Sequence, residues 1–156
     1  MLNLIKNIIF FWKKPKVVVL TNGDREIVKR IVSQILGSSF QIEKEILFTD
    51  SIEEVDFSNK NYLILNFDDT GIRKPREKES LRILTFGFKE GADFRATDLK
   101  QNGGVNFKVN YRGNIVPIWF KEPAGQKEIY SVLTAIAVGI IFDLNLVEIS
   151  QALKEY

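Results

Sequence analysis

The chain has 156 residues, 45% of them apolar, which suffices for one hydrophobic core and one domain. Its net charge of +2 gives no general case for nucleic acid. Cysteine and histidine are both absent. That excludes disulfides, zinc thiolate sites and imidazole-based catalysis of the Ser-His-Asp or Cys-His kind, and it fits a reducing compartment.

Charge is unevenly placed at the start. Lys6, Lys13, Lys14 and Lys16 precede the first acid, Asp24. Residues 2–12 place Leu2, Ile5, Ile9 and Trp12 on one side of a helix and Asn3, Lys6 and Asn7 on the other. At about 11 residues this run is shorter than the ~20 needed to span a bilayer, and no small-residue cleavage site follows it. Two readings stand: an interfacial helix on an anionic membrane, or a helix packed on the core or on a partner. Residues 1–14 are therefore set apart from a main domain over 15–156.

Pro15 ends that helix. Residues 16–20 (KVVVL) read as a strand buried on both faces, followed by turn residues Thr21-Asn22-Gly23-Asp24. Ile27, Val28, Ile31, Val32, Ile35 and Leu36 then recur at helical spacing. Asp24 is the expected N-cap and Gly37 the expected stop. Residues 45–49 and 62–66 read as further strands, with a helical turn between them over 51–54. Asp69-Thr70-Gly71 breaks the chain, and 72–80 reads as a charged helical connection whose mixed signs suit a solvated face. The next strand is 82–86.

Beyond it the pattern alternates. Residues 94–99, 105–111 and 115–120 read as short strands joined by hairpin turns at 102–104 and 112–114. Residues 126–142 form a long apolar helix and 147–156 a closing amphipathic one. The fold class is therefore α/β: a mostly parallel sheet flanked by helices, with a small antiparallel subsheet. In such sheets ligands bind at the carboxyl ends of strands, where Thr21-Asn22-Gly23 and Asn66-Phe67-Asp68-Asp69 both lie. Asp68 and Asp69 are neighbours whose side chains diverge if extended, so they form no glycosidase pair. Trp119 and Phe120 read as core or interface.

The succession Asn66-x-Asp68-Asp69, Phe86-Gly87 and Ala92-Asp93 resembles the central, ATP-binding domain of the Mur ligases, nearest the UDP-N-acetylmuramoyl-tripeptide–D-alanyl-D-alanine ligase branch. The resemblance runs from about Lys16 to Tyr156 and implies a shortened, P-loop-like central domain without its flanking domains. Where that family carries a phosphate loop, this chain reads VVVLTNGDREIVKRIVSQIL. Asp24, Arg25 and Glu26 take the places of Gly, Lys and Ser/Thr. Glycine lets amides turn onto phosphate, lysine reaches the β/γ oxygens and the hydroxyl holds Mg²⁺. Arg25 keeps only the charge, and Asp24 puts a carboxylate at the helix's positive pole.

About forty residues separate Glu26 from Asn66, too few for the family's catalytic insert. Lys127, Glu128 and Ser131 replace the His and Asn residues of its base-binding pattern. The resemblance thus implies a vestigial nucleotide site of Thr21, Asn22, Gly23, Arg25, Asn66, Asp68 and Asp69, with no catalytic residue and no metal ligand assigned. No cofactor is expected, ATP with Mg²⁺ being the group the site would take if it still works. The expected function is a non-catalytic binding or accessory module of peptidoglycan precursor synthesis. Its expected partner is another cell-wall synthesis protein, and its expected place is the cytoplasm or the inner membrane face through residues 1–14. The alternatives are an ATP-dependent acid–amino-acid ligase working with partner chains, with Arg25 in the lysine's role, and a fold remnant serving assembly alone.

Overall fold

The computed structural model describes residues 17–53, 55–71, 81–122 and 124–156. The helix expected over 1–14, part of the turn over 51–54 and the charged connection over 72–80 lie outside the described residues.

Strand β1 (Val17–Leu20) is buried at all four positions. Its side chains alternate between two layers, as the period of two requires. Val17 and Val19 join the larger core, while Val18 and Leu20 join a smaller one with Leu63, Leu65 and Leu81. Helix α1 (Arg25–Leu36) follows, capped by Asp24 and stopped at Gly37, whose φ of 92° lies in the region that glycine tolerates. A one-turn helix α2 (Ile42–Glu45) leads into β2 (Ile46–Phe48), shorter than expected because Glu45 closes the helix. A 3-10 turn at Phe57–Asn59 precedes β3 (Tyr62–Asn66), and β4 (Arg82–Gly87) comes next.

Strands β5 (Phe94–Gln101), β6 (Val105–Tyr111) and β7 (Asn114–Phe120) complete one continuous seven-stranded sheet, ordered β2-β1-β3-β4-β5-β6-β7. The antiparallel part is thus an extension of the parallel sheet. Pairings from β2 through β5 are parallel and those of β5-β6 and β6-β7 antiparallel. Strand β5 meets β4 only at Phe86↔Phe94 and Gly87↔Arg95, so it starts where β4 ends and runs onward. That stagger explains how two parallel neighbours are joined by so short a loop.

Helix α3 (Gln126–Ile141) is buried at every position from Ile129 to Gly139. Its all-round burial follows from its place between the sheet, α1 and α4 (Leu146–Lys154). Among the described residues, no helix is long and apolar enough to cross a membrane. Chain order passes from β1 to β2 on one side and then to β3 on the other. This reversal opens the crevice at the carboxyl ends of β1 and β3 where open α/β sheets bind ligands.

Candidate functional site at the carboxyl ends of β1 and β3

The turn after β1 is closed by side chains of its own domain. The Gly23 amide donates to Thr21 Oγ1 at 2.9 Å, and the Asp24 amide donates to Ser131 Oγ at 2.7 Å. Asp24 Oδ1 accepts from the amides of Glu26 and Ile27 at 2.9 and 3.4 Å, as an N-cap should. Proton directions follow from the inventory of donors. Thr134 Oγ1 lies 2.7 Å from the Tyr130 carbonyl, to which only its hydroxyl can donate. Its single proton is then committed, so Thr21 Oγ1, 3.0 Å away, donates to Thr134. Ser131 in turn donates to the Lys127 carbonyl at 3.0 Å.

Gly23 lies directly against α3. A Cβ there would sit 2.5 Å from Ser131 Oγ and 2.7 Å from the Ser131 amide nitrogen. The glycine needed here serves close approach to a helix backbone, a different use from turning amides toward a phosphate. Arg25 pairs with Asp50, past the end of β2, on the side of β1 away from β3. Of the residues expected at this turn, Thr21 and Gly23 are held against α3, Asn22 reaches Asp69 at the end of β3, and Arg25 is engaged by Asp50.

At the end of β3, Asn66 is buried and its Oδ1 accepts from the Asp68 amide at 2.9 Å. The two aspartates diverge. Asp69 accepts from Asn22 Nδ2 at 3.2 Å, joining the ends of β1 and β3, and from the Gly71 amide at 3.0 Å. Asp68 turns toward β4 and α3. Its carboxylate accepts from the amides of Phe88 and Lys89 at 2.8 and 3.0 Å and from the Tyr130 hydroxyl at 2.9 Å. Gly87 lies so near that an added Cβ would stand 2.6 Å from Asp68 Oδ1. A second carboxylate closes the same loop from beneath, Asp93 Oδ2 accepting from the Thr85 amide and hydroxyl at 2.8 and 3.1 Å. Burial pushes the Tyr130 hydroxyl above its ordinary value of 10.0, and its hydrogen bond to Asp68 acts in the same direction.

The residues singled out in sequence as one motif are therefore physical partners. Asp68 is fixed to Gly87-Phe88-Lys89, and Asp93 to Thr85. What sequence reasoning missed is the part played by α3: Tyr130, Ser131 and Thr134 bind both strand ends. A signal existed, since these are the polar residues of the helix's otherwise apolar stretch from Ile129 to Gly139. Among the described residues, no group of three or more acidic side chains is placed to hold a metal ion.

No family model matches the chain. A UDP-N-acetylmuramate–L-alanine ligase of Syntrophus aciditrophicus is 27% identical over 150 residues, covering 94% of this chain and 29% of the relative. Among solved structures, MurF of Acinetobacter baumannii superposes with a TM-score of 0.67 at 15% identity, covering 92% of this chain and 46% of that one. MurF of Thermotoga maritima, solved in complex with ADP, gives 0.56 at 14% identity over 88% of this chain and 48% of that one. These structural likenesses are to the fold. The chain spans less than a third of the length of that curated relative, an L-alanine-adding ligase and not one of the D-alanyl-D-alanine branch.

Proposed function

Because this chain belongs to the Mur ligase family and carries its central-domain fold, we propose that it is a non-catalytic binding or accessory module of peptidoglycan precursor synthesis. The observation that supports this reading is the closed turn after β1. The amides of Gly23, Asp24, Glu26 and Ile27 all have partners within the domain. A triphosphate would have to displace Ser131 and Asp24 from them, and the Asp24 carboxylate would repel it at the helix end where an anion gains most. These residues do not fit ATP with Mg²⁺, and no reaction step is assigned to them.

Under this reading the crevice recognises a cell-wall synthesis partner or precursor without phosphoryl transfer, beside the membrane face where residues 1–14 would place it. Titration of the full chain with a fluorescent ATP analogue and Mg²⁺ tests the proposal. We expect no saturable binding in the micromolar range. Micromolar binding coupled to ATP turnover, abolished by Arg25→Ala, would instead establish the ligase alternative with Arg25 as its phosphate-side cation.

A further inference from the structure

The sequence contains two Asn-Gly steps, Asn22-Gly23 after β1 and Asn102-Gly103 in the turn between β5 and β6. Such a step has a chemistry of its own. The glycine nitrogen, on losing its proton, can attack the asparagine Cγ, and glycine has no Cβ to obstruct the approach. The two steps share their residues but not their surroundings.

At Asn22 both reacting groups are held. The Gly23 amide donates to Thr21 Oγ1 at 2.9 Å, and Asn22 Nδ2 donates to Asp69 Oδ2 at 3.2 Å. Gly23 is also pressed against Ser131 on α3. At Asn102 neither group is held. Asn102 and Gly103 are both exposed. Neither the Asn102 side chain nor the Gly103 amide makes a hydrogen bond to any described residue. Gly103 has a φ of 67°, and a Cβ placed on it would meet nothing within 4 Å. The turn is fixed on either side of this gap. The Asn102 amide donates to the Gly104 carbonyl at 3.1 Å, and a Cβ on Gly104 would stand 2.8 Å from the Phe120 carbonyl oxygen.

We infer that Asn102 is a site of spontaneous modification to aspartate and isoaspartate, with water as the co-reactant, and that the closed turn after β1 shields Asn22 from the same reaction. The Gly103 N–H gives its proton to solvent, and its nitrogen bonds to Asn102 Cγ. The Cγ–Nδ2 bond breaks, and the departing nitrogen takes up a proton and leaves as ammonia. Water then opens the cyclic imide. Attack at Cγ gives aspartate; attack at the Asn102 main-chain carbonyl gives isoaspartate, whose chain runs through Cγ. Either product adds a negative charge to the turn, and isoaspartate also lengthens its backbone by a methylene. Gly103 has the space to absorb that, and Gly104 does not. At Asn22 the same attack has to wait for the turn to open, so its rate is scaled down by the open fraction.

Incubating the full chain at mildly alkaline pH and mapping tryptic peptides by mass spectrometry tests this. Trypsin places the two sites in separate peptides, residues 17–25 and 101–108. Fragmentation reads the amide-to-acid change at each asparagine, and isoaspartyl methyltransferase labelling reports the isoaspartate. We expect Asn102 to convert about tenfold faster than Asn22 in the folded chain, and the two to converge in denaturant. Thr21→Val, which removes the acceptor of the Gly23 amide, should raise the Asn22 rate severalfold and leave Asn102 unchanged. Slow conversion at both sites would overturn the inference at the hairpin. Fast conversion at both, or an Asn22 rate indifferent to Thr21→Val, would overturn the shielding. The shielding rests on the same closed turn as the proposed function, whereas the lability of Asn102 does not, so the two failures are told apart by which peptide changes.

Discussion

At the end of β1, helix α3 meets the chain through the hydroxyls of Ser131 and Thr134, whereas at the end of β3 the contact runs from Tyr130 to the Asp68 carboxylate. Both joints close a strand end where a related fold would present a ligand site. They differ in what their loss would cost. A hydroxyl bridging neutral groups gives up one modest hydrogen bond. A carboxylate holding two amides and a phenol gives up three charge-assisted ones and strands every donor. The β3 joint is therefore the stronger fastening of the crevice, and the β1 joint the one that evolution or design could reopen.

Asp68→Ala breaks the comparison most severely. Three donors lose their acceptor, and we expect a loss of about 3–5 kcal/mol in denaturant-unfolding stability. A second substitution sharpens this. Gly87→Ala forces a Cβ to within 2.6 Å of Asp68 Oδ1, so it should be costly in the native chain and much milder once Asp68 is alanine. A double-mutant cycle should return a coupling of roughly 1–3 kcal/mol; simple additivity would show that the two residues do not constrain each other.

Gly23→Ala ranks next. The added methyl meets Ser131 Oγ, which can turn aside, but also the Ser131 amide nitrogen at 2.7 Å and Cα at 2.9 Å, which cannot. Overpacking of this kind costs about 1–3 kcal/mol. Ser131→Ala alone should cost about 1 kcal/mol through the orphaned Asp24 amide, and in the double variant it should relieve only part of the Gly23→Ala penalty. Full relief in thermal melts would mean that α3 moves freely against the turn, and the β1 joint would not be the closed element described above.

How much of this was legible beforehand differs between the same two regions. The turn chemistry of Thr21 to Asp24 and the helical spacing after it are local, so strand, cap and helix were all readable, down to Asp24 as N-cap. The antiparallel strands were readable from alternation and glycine turns. At the β3 end, the resemblance drew attention to Asn66, Asp68, Gly87 and Asp93 without saying why they occur together. Their link is a long-range contact, Asp68 to Phe88 and Lys89 across a strand pair, and no local pattern encodes it. Thr134 escaped notice for the same reason, since a lone hydroxyl in an apolar helix declares its partner only when β1 is packed beside it. The Arg25 pairing with Asp50 likewise depended on β2 lying outside β1 in the sheet order.

Tyr130→Phe makes the gentlest change and separates the two joints by pH. It keeps the ring against Phe86 and Phe88, at centroid distances of 5.8 and 5.5 Å, and removes the bond donated to Asp68 together with the one accepted from Gln126 Nε2. Near neutrality the cost should be about 1–2 kcal/mol. The alkaline limb is more telling. Burial first, and then Asp68, raise the Tyr130 hydroxyl above 10.0, and burial raises Tyr156 likewise. The unfolded chain releases these protons at a lower pH than the folded one. The stability they contribute is therefore complete below about pH 10 and declines as pH rises through the folded values. Tyr130→Phe should flatten that decline in part, and a variant with Tyr156→Phe as well should flatten it further, in denaturant titrations between neutral and strongly alkaline pH. The hydroxyl joint at β1 carries no group that titrates in this range, so Ser131→Ala should shift the whole curve down without changing its slope. An alkaline slope unchanged by both tyrosine substitutions would break the distinction between a charged joint at β3 and a neutral one at β1.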